Sequence, residues 1–252
     1  MVLLVPFDKP TATGRLVRRY QRFLVDVLLD EGGDPVVAHT ANTGAMTGLV
    51  APGTPVLLTR HDTSTRRIPW ELEAVHVDGA WANVNTGAAN AFAARAVERG
   101  LIPELAGFAR FRREVTPSPR SRSRFDLCLE ETPTDAAARC FVEVKSVTLK
   151  EQARALFPDA PTERGRKHLD ALARLARAGQ RAAMLYVSMR VGCGGFAPAR
   201  AVDPEYARAL SRAARAGVQI LAVSCRADPS GLSFAGRLPV LPLGAAGPAS
   251  ET

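Results

Sequence analysis

Phe141-Val-Glu143-Val-Lys145-Ser-Val-Thr-Leu149 places a carboxylate and an amine two positions apart inside an otherwise β-forming run. Side chains alternate faces along a strand, so Glu143 and Lys145 share one face while Val142, Val144 and Ser146 take the other. Just upstream, Arg124-Phe-Asp126-Leu-Cys-Leu129 carries one acid in a second apolar run, and the polar stretch from Glu130 to Arg139 reads as a loop joining two antiparallel strands. A loop that closes symmetrically sets Cys128 opposite Phe141 and Asp126 opposite Glu143. Two carboxylates and a lysine then meet on one patch. Hard divalent cations such as Mg2+ or Mn2+ take oxygen ligands, commonly one or two carboxylates completed by waters and phosphate oxygens. A lysine beside them orients or helps deprotonate a metal-bound water, or offsets charge on a phosphoryl group in flight. Asp126 and Glu143 are therefore candidate metal ligands and catalytic acids, Lys145 is the candidate catalytic amine, and metal-dependent phosphodiester cleavage is the chemistry. The alternative is a cross-strand ion pair between Asp126 and Lys145, contributing about 0.2–1 kcal/mol on a solvated face.

Almost all the basic charge is arginine. Lys9, Lys145, Lys150 and Lys167 are the only lysines, and three of them lie on or after the candidate strand, where a compact ammonium does what a guanidinium cannot. Glu98, Glu104 and Glu114 are candidates for a third metal ligand. A net charge of +8 and a pI near 9.9 suit a polyanionic partner, nucleic acid before an acidic membrane surface, since no amphipathic anchor helix is evident. No apolar run approaches the ~18–20 residues that cross a bilayer, and no leader is recognised, so a soluble cytoplasmic protein is expected. Cys128, Cys140, Cys193 and Cys225 form no C-x-x-C pair and read as free thiols.

The elements that position this patch follow from pattern. Between Gly14 and Thr86, short alternating runs are separated by Gly32-Gly33, Pro52-Gly53 and Asp78-Gly79, which predicts five or six short strands closing into a small OB-like barrel. Arg15, Arg18, Arg19, Tyr20, Arg22, Arg66, Arg67 and Trp70 are its candidate nucleic-acid face. The polar segment His39 to Gly48 is able to offer backbone N–H groups to a phosphate, though it lacks the Walker ending. From Ala88 to Arg99 the period turns helical. A strand near residues 109–115 follows, then an arginine-rich arm whose Arg120, Arg122 and Arg124 lead into the Asp126 strand and are assigned to backbone contact. Thr162 caps a helix with Leu169, Leu172, Ala173 and Ala176 inward and Arg164, Lys167 and His168 outward, available to DNA. A strand at 181–189, a helix from Pro204 to Arg215, a strand from Val218 to Ser224 and a last strand around Leu238–Leu241 complete the chain. The fold class expected is α/β (α+β overall): a barrel over 1–86, an α/β domain over 87–243, and a disordered tail at 244–252.

The order helix, three strands, helix, strand, with acids on the second and third strands, resembles the PD-(D/E)xK nuclease layout, Phe125 standing where the name puts proline. Several segments also resemble the sugar fermentation stimulation protein A family: Tyr20-Gln-Arg-Phe-Leu-Val-Asp26, Asn42-Thr-Gly-Ala-Met46, Trp70-Glu-Leu, Asn85-Thr86 with Asn90, Ser123-Arg-Phe-Asp126, Glu143 to Leu149, Phe157-Pro-Asp-Ala, Thr162 to Leu169, Asp203-Pro and Gly217-Val218. Ala41 and Phe125 depart from the family pattern without touching the acids. The resemblance implies an OB-like domain before a nuclease-like one, binding of duplex or single-stranded DNA without marked sequence preference, and an influence on sugar (maltose) utilisation. Three readings stay open: a nonspecific DNA-binding protein, a Mg2+-dependent structure-selective endonuclease, and a protein-interaction module on a degenerate nuclease fold.

Overall fold

The computed structural model describes residues 1–62, 64, 66–118, 123–131 and 139–243. In chain order the strands are β1 (Val2–Pro6), β2 (Thr11–Tyr20), β3 (Leu24–Leu29), β4 (Pro35–His39), β5 (Pro55–Arg60), β6 (Trp70–Val77) and β7 (Ala80–Asn83), followed by helix α1 (Thr86–Glu98). After a 3-10 turn at Pro103–Leu105 come β8 (Arg110–Val115), β9 (Phe125–Glu130), β10 (Arg139–Val147), β11 (Leu149–Glu151) and β12 (Arg154–Phe157). Helix α2 (Glu163–Arg177), β13 (Arg181–Ser188), β14 (Gly195–Pro198), α3 (Pro204–Arg215), β15 (Gln219–Asp228) and β16 (Gly231–Arg237) complete it.

Strands β2 to β6 form the expected barrel. Neighbours pair antiparallel in the order β4-β3-β2-β5-β6, and a parallel pairing of Ala38 with Trp70 and His39 with Glu71 closes the ring, leaving no free edge there. The interior is the alternate set Leu16, Val25, Val27, Ala38, Val56, Leu58, Leu72 and Val75. Asp78 and Gly79, at φ 52° and 73°, make the two-residue turn between β6 and β7, a geometry that Asp-Gly adopts with little strain.

The second unit is a mixed sheet, β8-β9-β10-β13-β15, with β10, β13 and β15 parallel. Helix α1 covers one face over Leu127, Leu129, Val142, Leu185 and Val223; α2 and α3 cover the other over Phe125, Phe141, Met184 and Tyr186. Parallel strands covered on both faces read as continuous apolar runs, which is why 181–188 lacks a polar side. Fully burying a side chain such as Phe125 contributes roughly 1.5–3 kcal/mol. Caps match the sequence: Thr162 accepts from Gly165 N and Asp203 accepts from Tyr206 N.

Several expectations need correction. β1 pairs with β16, so Val2–Pro6, placed in the barrel from sequence, lies on the second unit's sheet, with Leu4 in its core. The last strand is β16, ending at Arg237; Leu238–Leu241 contributes a bridge from Val240 to Phe196 and a hydrogen bond from Leu238 N to Ala222 O, and Pro239 has no N–H to continue a ladder. A small sheet, β11-β12-β14, was not foreseen. The tail at 244–252 lies outside the described residues. Among the described residues, no helix is long and apolar enough to cross a membrane, and all four cysteines are free.

Candidate functional site

The β9–β10 register is the expected one: Cys128 pairs with Phe141 and Leu127 with Val142, which brings Asp126 beside Glu143. The Asp126 carboxylate accepts from the Val144 main-chain N–H at 2.7 Å through Oδ2 and from Asn90 Nδ2 at 2.7 Å through Oδ1. Asn90, one turn into α1, thus ties that helix to the patch. Lys145 Nζ donates to Glu143 Oε1 at 2.7 Å, and His168 Nδ1 of α2 donates to the same oxygen. Glu143 Oε2 is buried and has no hydrogen-bond partner among the described residues.

Charge follows from these contacts. Burial, and then the neighbouring Glu143 charge, pushes the Asp126 carboxyl above the usual carboxylate range. Burial opposes ionisation of Glu143 too, but the His168 hydrogen bond and the Lys145 charge outweigh it and hold Glu143 below that range. An acid that resists losing its proton thus lies beside one that is ionised, and both donors to the ionised one sit on Oε1. Among the described residues, no group of three or more His, Cys, Asp or Glu side chains forms a preformed metal cage. Glu98, Glu104 and Glu114 are not third ligands in this arrangement: they pair with Arg95, Arg237 and Arg124.

His168 was assigned outward from the helical period, yet it is buried, with its ring edge-on to Phe125 at 6.3 Å. The helix turns this face towards β10 because Leu169 and Leu172 seek the same core. Arg164 and Lys167 do stay exposed, Lys167 paired with Glu163 at 2.7 Å.

The barrel residues divide in the same way. Arg18 is exposed but paired with Asp26 at 2.7 Å, and its guanidinium lies over the Tyr20 ring at 5.0 Å. Arg19 is half-buried and donates to the carbonyls of Arg22, Asn42, Gly44 and Ala45, while Arg22 donates to that of Thr43. These arginines hold the 42–45 loop in place. Two of its amides are engaged as well, Gly44 N on Asn42 Oδ1 and Met46 N on Asp159 Oδ2, so these two are not open to a phosphate. Arg66 pairs with Glu71, and Arg67 is exposed. Trp70 is half-buried under Arg60. Phe23, exposed and 6.1 Å from the His39 ring, is the barrel aromatic that the sequence reading passed over.

On β8, which leads into the arginine-rich arm, Arg110 and Arg112 bind the buried Glu130, and Arg113 donates to the Asn90 carbonyl. Arg124 is exposed at 65% of its side chain despite its Glu114 contact. Arg120 and Arg122 lie outside the described residues. A second polar knot joins the barrel to α1: Asn85 Nδ2 donates to Glu73 at 3.1 Å and to Glu71 at 3.4 Å, with Thr59, His61 and Arg66 on the remaining oxygens.

The profile of the sugar fermentation stimulation protein RE domain matches residues 87–231, more than half of the chain, and that of the SfsA N-terminal OB domain matches 17–84. The chain belongs to the sugar fermentation stimulation protein family. A sugar fermentation stimulation protein homolog from Pelobacter propionicus is 44% identical over 232 residues, 92% of this chain and 98% of its own. One from Geobacter sulfurreducens is 45% identical over 233 residues, 92% and 97%. The solved "structure of Pyrococcus Furiosus SfsA in complex with Ca2+" superposes with a TM-score of 0.85 at 28% identity, covering 96% of this chain and 100% of that one. For this family member the match spans both units, so the barrel and the nuclease-like sheet are features shared with that structure.

Proposed function

We propose that this sugar fermentation stimulation family member is a divalent-cation-dependent DNA nuclease. The observation that carries this reading is the convergence of Asp126, Glu143 and Lys145 on one patch with the buried Glu143 Oε2 left without a partner among the described residues. Asp126 and Glu143 would hold Mg2+ or Mn2+; the cation supplies charge neutralisation and a nucleophilic water at neutral pH. The Ca2+ named with the Pyrococcus furiosus relative, also a hard cation, supports the same donor chemistry. Asn90 and the Val144 N–H orient Asp126. Lys145 is placed to donate to a phosphate oxygen once released from Glu143. Exposed Arg67, Arg124, Arg164 and Lys167 on a chain of net charge +8 favour the phosphate backbone over base edges, and so weak sequence preference.

A DNA-binding role in sugar utilisation without cleavage is the second reading, supported by the relatives' name and by the same basic surface. One experiment separates them: purified protein incubated with single-stranded, duplex and branched DNA, with Mg2+, Mn2+ or chelator. Cleavage that requires the cation and disappears in Asp126→Asn and Lys145→Ala is expected. Binding alone, unaltered by metal and by Asp126→Asn, favours the second reading and returns Lys145 and Glu143 to an ion pair.

A further inference from the structure

His168 reaches Glu143 from a different layer of the fold than any other group on the patch. It comes from α2, sits beneath the sheet, and is held edge-on by Phe125, the neighbour of Asp126 in sequence. Its Nδ1 and the Lys145 amine converge on one oxygen, Glu143 Oε1, and Oε2 has no partner among the described residues. An ionised carboxylate only accepts, so the imidazole presents Nδ1–H to it.

This doubling matters because Lys145 has two incompatible partners. While it donates to Glu143 it is withheld from a scissile phosphate or a metal-bound water. If Lys145 were the sole donor, its departure would strand a buried, charged oxygen, which is costly. With His168 on the same atom, that oxygen stays satisfied when the lysine turns away. The hydrogen bond also fixes the carboxylate plane, so Oε2 stays the free face.

We infer that His168 is a positioning residue that anchors Glu143 through Oε1, presenting Oε2 to the cation and freeing Lys145 for the phosphate. This rests on the metal-nuclease reading, and it predicts a specific chemical requirement: a donor at the Nδ1 position. Asparagine places its amide near Nδ1, and glutamine places its amide near Nε2, so the two substitutions separate a donor at the right place from general polarity.

The test uses the full chain as wild type, His168→Ala, His168→Asn and His168→Gln. Mn2+ binding is followed by calorimetry, DNA binding is measured in chelator, and single-turnover cleavage is measured across DNA concentrations. Loss of a hydrogen bond orienting a metal ligand typically weakens metal binding or activity about 10–100-fold. His168→Ala and His168→Gln should show that loss in Mn2+ affinity and in the maximal cleavage rate, with unchanged DNA affinity in chelator, while His168→Asn recovers most of it. Wild-type metal binding and cleavage with His168→Ala at wild-type level in both overturn the positioning role alone; so does equal loss in the asparagine and glutamine variants. No metal binding by wild type overturns the nuclease reading and this role with it. Should the variants melt below the assay temperature, the wild-type imidazole decides by 15N NMR: Nδ1 carrying the proton with and without Mg2+ supports the role, and an unprotonated Nδ1 overturns it.

Discussion

Gly44 lies where the 42–46 loop of the barrel meets Asp159 of the nuclease-like unit, and Gly44→Ala tests whether that docking is part of the folded protein. A Cβ at Gly44 would lie 2.5 Å and 2.9 Å from the two Asp159 carboxylate oxygens and 2.9 Å from Asn42 Oδ1. Ordinary contact begins near 3.4 Å, so Asp159 Oδ2 must retreat by about 0.9 Å (3.4 − 2.5). That carries its 3.2 Å bond to Met46 N beyond hydrogen-bonding range. A hydrogen bond to a charged group is worth about 1.5–3 kcal/mol, and the half-exposed Asp159 belongs at the lower end. The alanine recovers about 0.4–1 kcal/mol of this through the unfolded chain, so at roughly 2–4 °C per kcal/mol for a chain of this size Tm falls by about 1–4 °C. The sign carries the test. Gly44 does not occupy the left-handed region, so without the docked carboxylate an alanine would stabilise the fold by about 0.4–1 kcal/mol through the unfolded chain. Thermal melts of wild type, Gly44→Ala, Asp159→Ala and the double variant complete a cycle in which the coupling should exceed about 0.5 kcal/mol. A Tm that rises in Gly44→Ala, or additive effects in the cycle, refutes the contact.

Two further outcomes are expected. Asp126 carries a raised folded pKa, so its charge costs stability above that pKa and the cost vanishes as pH drops below the unfolded value near 4. Asp126→Asn, with Asn90 free to turn its amide, should therefore melt higher than wild type in chelator at pH 8. The gap should narrow on acidification and reverse at saturating Mn2+, where a ligand at 100 times its Kd adds about 2.7 kcal/mol to wild type alone; a variant less stable in chelator at pH 8 contradicts the burial argument. On the barrel, Phe23→Ala should weaken single-strand binding more than Tyr20→Ala or Trp70→Ala, since the latter rings already lie under arginines. Stacking is worth ~1–3 kcal/mol per base, about 5- to 150-fold in Kd by fluorescence titration, and equal losses on duplex DNA would return Phe23 to packing.

The site's backbone was legible because period-two alternation and one symmetric loop determine which side chains meet; Asp126, Glu143 and Lys145 followed from that alone. His168 was not, because α2 has charged neighbours on both sides of it and a 3.6-residue period blurs where a helix edge turns inward. The contacts of Arg19 and Arg22 with the 42–45 loop were not legible for a related reason. Basic residues on an exposed strand resemble a nucleic-acid face, and only the fold reveals that a distant loop offers its carbonyls to them. The barrel was legible from its turn signals, whereas β1 was not, since its partner lies at the far end of the chain.

That last pairing has a consequence for how the molecule is made. Leu3 pairs in register with Ser233, so β1 waits for a partner that lies about 230 residues later in the chain. At about 5–20 residues per second, the roughly 230 intervening residues take on the order of 10–45 s to emerge from the ribosome. The barrel has all of its strands by Val77; through that interval it follows an unpaired β1 whose Val2 and Leu3 remain two-fifths exposed even when folded. The partly made chain is therefore a barrel whose strands are complete joined to a strand, β1, that stays unpaired until β16 arrives.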